Sequence, residues 1–284
     1  MSGLRMSRDM IRSGATVLWF ALAYVFLLAP IVVVVGASFS GADTGGVVIS
    51  YVQFPPQRWT LEWYARIPAV QYEALALSLV LGVAAALAAC AIGIPAAFGL
   101  VRGGLAGTPL IAALLRAPLQ IPTVVIGIAF MQLYYLMADY SRIDLVGSFA
   151  GLLIAHIFLV TPFVTGSVSA VLQRFNVRLE EAAVILGASR WRTFCRVTLP
   201  LIMPGVYTGA LYAFVVSFID VPVSLFLAAP GSVTYPVELF HSMEHDFNPS
   251  ALASATLVTA FSLLLLVGAE RLIGLNALLR SGAA

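Results

Sequence analysis

The sequence predicts an all-α polytopic membrane protein, with six transmembrane helices and a cytoplasmic elbow between the fourth and fifth. Three observations predict it. Of 284 residues, 61% are hydrophobic and only 10% charged, against about 25% charged in a soluble domain. Six nearly uncharged stretches, residues 15–37, 74–101, 117–138, 145–172, 201–229 and 251–269, each reach roughly the 20 residues that a helix needs to cross about 30 Å of hydrocarbon. These runs are too long and too uniformly apolar for the alternating strands of a membrane barrel. Third, the arginines are unevenly shared between the loops.

An even number of spans puts both termini on one side, together with loops 102–116 and 173–200. That side carries twelve arginines, Arg5, Arg8, Arg12, Arg102, Arg116, Arg174, Arg178, Arg190, Arg192, Arg196, Arg271 and Arg280, whereas the other carries Arg58, Arg66 and Arg142 with eight acids. The positive-inside bias makes the termini cytoplasmic. All fifteen basic residues are arginine. Without a lysine the chain has neither a P-loop phosphate lysine nor a Schiff-base lysine, so nucleotide energy has to come from a partner. A net charge of +2 does not indicate nucleic-acid binding. Cys90 in an apolar run and Cys195 in an Arg-rich loop read as small packing residues.

The first span follows Arg5, Arg8 and Arg12 but is longer than the apolar core of a cleaved signal, and is read as a retained helix. The outer segment 38–73 holds Pro55, Pro56, Trp59, Trp63 and Tyr64. Its aromatics suit the headgroup zone, on a short surface helix capped by Thr60. The second span, dense in Ala with Gly93, permits close backbone approach and belongs inside a bundle. Pro118, Pro122 and Gly127, then Pro162 and Gly166, then Pro204 and Pro222 are expected to interrupt spans three to five and to mark a path with moving parts.

Segment 178–205, RLEEAAVILGASRWRTFCRVTLPLIMPG, reads as two short helices and a joint. Glu180 and Glu181 open the first, Ala182 and Ala183 give it a low profile, and Gly187 ends it left-handed. Ser189 caps the second, where Trp191, Phe194 and Cys195 share one side and Arg192 and Arg196, at i and i+4, another, and Pro200 starts the next span. The whole segment resembles the cytoplasmic signature of binding-protein-dependent ABC importer permeases, E-A-A, three residues, Gly, nine residues, I-x-L-P. Glu181, Ala182, Ala183, Gly187, Leu199 and Pro200 match it, and Val197 replaces the isoleucine.

The resemblance implies that the elbow, Ala188 and Ser189 included, couples to an ATPase subunit. It further implies a bacterial inner-membrane complex of two ATPase subunits, a second permease and an extracytoplasmic solute-binding protein. ATP and magnesium would sit on the ATPase partners, with no catalytic residue, metal or cofactor on this chain. The organisation would be an N-terminal helix and outer segment at 1–70, a permease core at 71–271 and a cytoplasmic tail at 272–284. Stretches EALALSLVLG, GIPAAFGLVR, APLQIPTVVIGIA and SFIDVPVSLFL look most like spermidine/putrescine-type permeases, which implies a polyamine or similar organic cation. Opine, thiamine and ferric-iron relatives belong to the same group, and a secondary transporter is the alternative of another class.

Asp220 is the lone acid within a span, and an ionisable group at that depth faces a cavity or a partner. With Ser217, Phe218, Tyr134 and Tyr212 it is a candidate for the substrate path, with a helix–helix hydrogen bond as the competing role. Polyamine-type relatives carry a second acid where this chain has Ile219. His156 reads as a hydrogen-bonded bundle residue. His241 and His245, at i and i+4, form too sparse a set for a metal and suit a contact surface for an external binding protein.

Overall fold

The computed structural model describes the backbone of residues 2–41, 54–104, 106–245 and 249–281, and the side chains of residues 16–41, 54–104, 106–244, 249–264, 267, 268 and 271. The side chains of Arg5, Arg8, Arg12, His245 and Arg280, residue Asp246 and the end of the tail lie outside the described residues.

Every described element is helical: α1 Ser2–Ala37, α2 Glu62–Ala65, α3 Ala69–Arg102, α4 Thr108–Arg116, a 3₁₀ turn at Ala117–Leu119, α5 Thr123–Ser141, α6 Phe149–Gln173, α7 Arg178–Ile185 and α8 Arg190–Thr193. A π turn at Phe194–Thr198 follows, then α9 Leu199–Phe218, α10 Pro222–Leu227, α11 Tyr235–His245 and α12 Pro249–Ser281. Among the described residues, segments Thr16–Ala37, Ala69–Arg102, Thr123–Ser141, Phe149–Gln173 and Arg190–Phe218 are long and apolar enough to cross a membrane. The sixth span falls on α12, whose described apolar stretch is Pro249–Leu264.

The chain divides into two compact units, Met1–Pro68 with His241–Leu264 and Ala69–Phe240 with Leu265–Ala284. In the first, α1 exposes its apolar side chains through most of its length, Trp19 and Phe26 among them, as a lipid-facing helix does. The outer segment is more folded than a surface-lying helix. α2 is a single turn, and Thr60 Oγ1 accepts from Glu62 N–H at 3.2 Å. Trp63 is buried with Ile67 and Ala253 and donates Nε1–H to Ser40 O at 2.8 Å, so its polar edge is satisfied by backbone rather than headgroup. Trp59 alone of the two tryptophans stays exposed.

In the second unit α3, α6 and α9 pack on one another. Leu81, Ala85 and Ala89 of α3 meet Val160, Val164 and Val168 of α6 in one core, with Ile202 and Ala213 from α9. Recurrence every four residues keeps the side chains of each helix on one face. The small-residue face expected of the second span is thus the buried face of α3. On α9, Gly205 and Gly209 lie one turn apart. A Cβ on Gly205 would stand 2.9 Å from the Ser167 carbonyl and one on Gly209 2.7 Å from Val164 Cα, both on α6 backbone. This G-x-x-x-G inside an apolar run brings two membrane helices together, and its spacing is visible in the sequence alone. Replacing Gly209 with alanine is expected to destabilise the bundle by about 1–3 kcal/mol. A thermal-unfolding midpoint in detergent equal to that of the parent chain would disprove the close contact.

Two expectations about proline are corrected. Pro162 and Pro204 lie inside unbroken α6 and α9, where Thr161 and Thr208 hydroxyls bind carbonyls of their own helices. Pro118, Pro122 and Pro222 do sit at interruptions. Nor does Pro200 start a separate span, since α8, the π turn and α9 run on as one helix, Arg190–Phe218. Pro200 has no N–H to give to the carbonyl of Arg196 and its ring needs room there. The wider turn beforehand, in which Leu199 N–H bonds to Phe194 O, supplies that room.

Candidate functional site

The elbow is built from local rules. α7 starts with Glu180 and Glu181 in its first turn, favourable at the positive end of a helix. It ends in a Schellman motif: Ala188 N–H donates to Ala183 O at 3.0 Å and Gly187 N–H to Val184 O at 2.9 Å. This closure needs a left-handed residue, and Gly187 has φ +85° with nothing near its would-be Cβ. Ser189, extended at ψ 156°, caps α8 by accepting from Arg192 N–H at 3.3 Å. Gly187, Ala188 and Ser189 therefore make one sharp bend.

At that bend Ile185 and Leu186 are 84% and 87% exposed and Trp191 74%. Trp191 stacks on Phe194, whose ring in turn meets Phe98 of α3 edge-on at 5.8 Å. Glu181 and Ala182 are exposed and Ala183 half-buried, whereas Leu199 and Pro200 are half-buried at the start of α9. Glu180, not Glu181, is the acid tied into the fold. Arg102 Nη1, at the end of α3, donates to Glu180 Oε1 and Oε2 at 2.8 and 2.9 Å. Thr198 of the π turn donates its hydroxyl to Glu180 Oε1. In the sequence Arg102 is one of twelve arginines expected on one side, and no spacing rule links residues 78 apart.

The candidate path residues separate into groups. The chain breaks its helical course at 219–221, between α9 and α10, and Asp220, 6% exposed, turns back on the next turn. Its Oδ2 accepts from Ser224 N–H at 2.9 Å and lies 3.3 Å from Ser224 Oγ. Ser224 Oγ is 3.1 Å from His156 Nε2, and His156 Nδ1 is 2.7 Å from Ser217 Oγ. Asp220 and Ser217 thus belong to one buried chain of hydrogen bonds that joins α6 to both sides of the break. Such a chain satisfies groups that would otherwise be costly in a low-dielectric interior.

Phe218 is buried against Phe214, ring centroids 5.7 Å apart. Tyr134, also buried, donates its hydroxyl to Gly151 O at 2.8 Å and straps α5 to α6. Tyr212 is exposed and stacks on Phe163. His241 is described on α11, whereas the side chain of its i+4 mate lies outside the described residues.

Residues 89–275 match the family described as binding-protein-dependent transport system inner membrane component. Among curated relatives, the putrescine transport system permease protein PotI of Escherichia coli K12 is 31% identical over 87% of this chain and 86% of its own length. The spermidine/putrescine transport system permease protein PotC of the same strain is 30% identical over 87% and 89%. A putative 2-aminoethylphosphonate permease, PhnV of Salmonella typhimurium LT2, is 27% identical over 92% and 94%. A bacterial alginate ABC importer shares the fold at a TM-score of 0.67 and 16% identity, over 91% of this chain and 94% of that one. The inward-facing methionine transporter MetNI does so at 0.57 and 17%, over 76% and 99%.

Proposed function

This chain belongs to the binding-protein-dependent transport system inner membrane components and is a permease subunit of an ABC importer, and on that premise we propose that it passes a polyamine. Putrescine and spermidine name the relatives that match it at 31% and 30% identity. Eight acids against three arginines on the outer loops favour the approach of a cation. The twelve arginines on the side of the two termini support a cytoplasmic location for both.

The observation that carries the mechanism is the exposed apolar tip of the elbow. Isolated large hydrophobics are ordinary on a membrane-facing surface, but Ile185, Leu186 and Trp191 flank a polar, Arg-rich bend between two spans. We assign this tip to an ATPase subunit, with residues 181–189, Leu199 and Pro200 as the coupling segment. The chain has no lysine for a P-loop, so ATP and magnesium belong to two such subunits. A second permease completes the path, and a solute-binding protein delivers the cargo from outside. Because the elbow's second half is continuous with α9, a push on the tip is a push on the fifth span. Coupling of this kind is reciprocal: cargo delivery favours ATPase closure as much as closure favours rearrangement.

Replacing Leu186 with glutamate is expected to leave folding within about 0.5 kcal/mol, since the side chain is almost fully exposed. Loss of an interface anchor costs about 2 kcal/mol or more, roughly 30-fold in affinity. Co-purification of the ATPase with the variant at parental yield would remove the tip from the interface. The substrate assignment is tested by uptake of labelled putrescine and spermidine into vesicles holding the complete importer. Thiamine serves as the competitor. ATP-dependent accumulation of either polyamine supports the reading, and none at saturating binding protein rejects it.

A further inference from the structure

Three segments of the second unit meet on one carboxylate. Glu180 in the first turn of α7 holds Arg102 from the end of α3 and Thr198 from the π turn that leads into α9. The guanidinium lies between two rings, with its carbon 5.4 Å from the centroid of Phe98 and 4.7 Å from that of Phe175. Phe98 belongs to α3, and Phe175 lies between α6 and α7. Both charged side chains are largely withdrawn from solvent, 25% and 21% exposed.

An exposed ion pair between flexible side chains is worth little. This one differs. Its cation is clamped by two aromatic faces, its anion takes an additional hydroxyl bond, and partial burial limits screening by salt. Arg102 Nη2 is buried with no hydrogen-bond partner among the described residues. One edge of the guanidinium is thus shut off from solvent, and breaking the pair leaves a partly desolvated charge without its partner.

We propose that Arg102, Glu180 and Thr198 form the strut that makes the elbow and α3 move as one body, so that displacement of the elbow reaches α3 as well as α9. The continuous helix Arg190–Phe218 carries motion to α9 without help. α3 has no such covalent route, since α4, α5 and α6 lie between it and the elbow in the chain. Among the described residues, the Glu180 pair is the salt bridge that joins them. The three are positioning residues, and this inference rests on the importer reading only where transport is measured.

Two measurements test it. Spin labels on cysteines placed at Ala188 and Thr108, in a cysteine-free background, report the elbow's distance from the chain just beyond α3 by pulsed electron resonance. Glu180→Gln is expected to broaden a narrow distribution or add a second one, and the reversed pair Arg102→Glu with Glu180→Arg to narrow it again. An unchanged distribution in Glu180→Gln would overturn the strut whatever the protein transports. In vesicles with the full importer, the ratio of putrescine accumulated to ATP hydrolysed is expected to drop about fivefold or more in Glu180→Gln, with hydrolysis retained. Partial recovery in the reversed pair supports a direct coupling between the two positions. A parental ratio in Glu180→Gln overturns the transmission role, whereas a parent complex that accumulates no putrescine counts against the polyamine reading and leaves the distance measurement to decide the strut.

Discussion

Valine at position 187 is expected to abolish most uptake while the importer still hydrolyses ATP. Gly187 sits at φ +85° with open space about it, so the substitution meets no neighbour and acts through the backbone alone. A left-handed conformation costs an L-residue about 1–2 kcal/mol, and a β-branched one falls at the upper end. About 2 kcal/mol lowers the bent elbow roughly 30-fold relative to competing conformations. The Schellman bonds from Gly187 and Ala188 to α7 would be lost with the bend. Asparagine, which tolerates the left-handed region, should recover most of the activity, and alanine should fall between. The check is uptake per ATP hydrolysed across the series Gly, Asn, Ala, Val. Equal ratios in all four would show that the bend is not needed for coupling.

The second large effect is expected at Asp220, where charge and hydrogen bonding can be separated. Asparagine keeps a carbonyl oxygen for the N–H and hydroxyl of Ser224 but removes the charge, whereas alanine removes both. Ser224 is fully buried, so alanine strands its N–H and weakens the link through His156 to Ser217. Leaving that buried donor unsatisfied costs about 1–3 kcal/mol. Asp220→Ala is therefore expected to accumulate poorly and unfold early, with Asp220→Asn close to the parent in both stability and putrescine uptake. The inward-turned carboxylate favours this result over a direct role in the path. A stable Asp220→Asn variant that transports no polyamine would reverse that assignment and make the negative charge itself the required feature.

These two sites differ in how far they could be read from the chain alone. Gly187 is visible because a glycine after an apolar-faced turn, with a serine two residues on, states its own backbone conformation. The structure returns that left-handed glycine and the Ser189 cap. His156 was legible as a hydrogen-bonded residue, but not its partners, Ser217 and Ser224, which stand 61 and 68 positions away. Asp220 was conspicuous for its charge, and conspicuousness suggested cargo. What satisfies it, Ser224 one turn later, lies across the break that Pro222 marks in the sequence, but nothing in residues 201–229 states that the carboxylate turns inward to it.

The sequence by itself determined the class of the protein: helices of membrane-spanning length, an uneven share of arginine between their loops, the bent signature between two of them and the lack of any lysine for a nucleotide. All of these follow from quantities summed along the chain or confined to a few neighbours, such as transfer energy per span, loop charge and the φ preference of a glycine. Only the tertiary structure decided that Glu180 rather than Glu181 is bound into the fold, that Gly205 and Gly209 admit α6, and that Pro200 lies within a continuous helix. Each depends on which faces of distant helices meet. In a segment apolar on all sides the hydrophobic pattern barely distinguishes one face from another, so packing and the few buried polar groups make the choice.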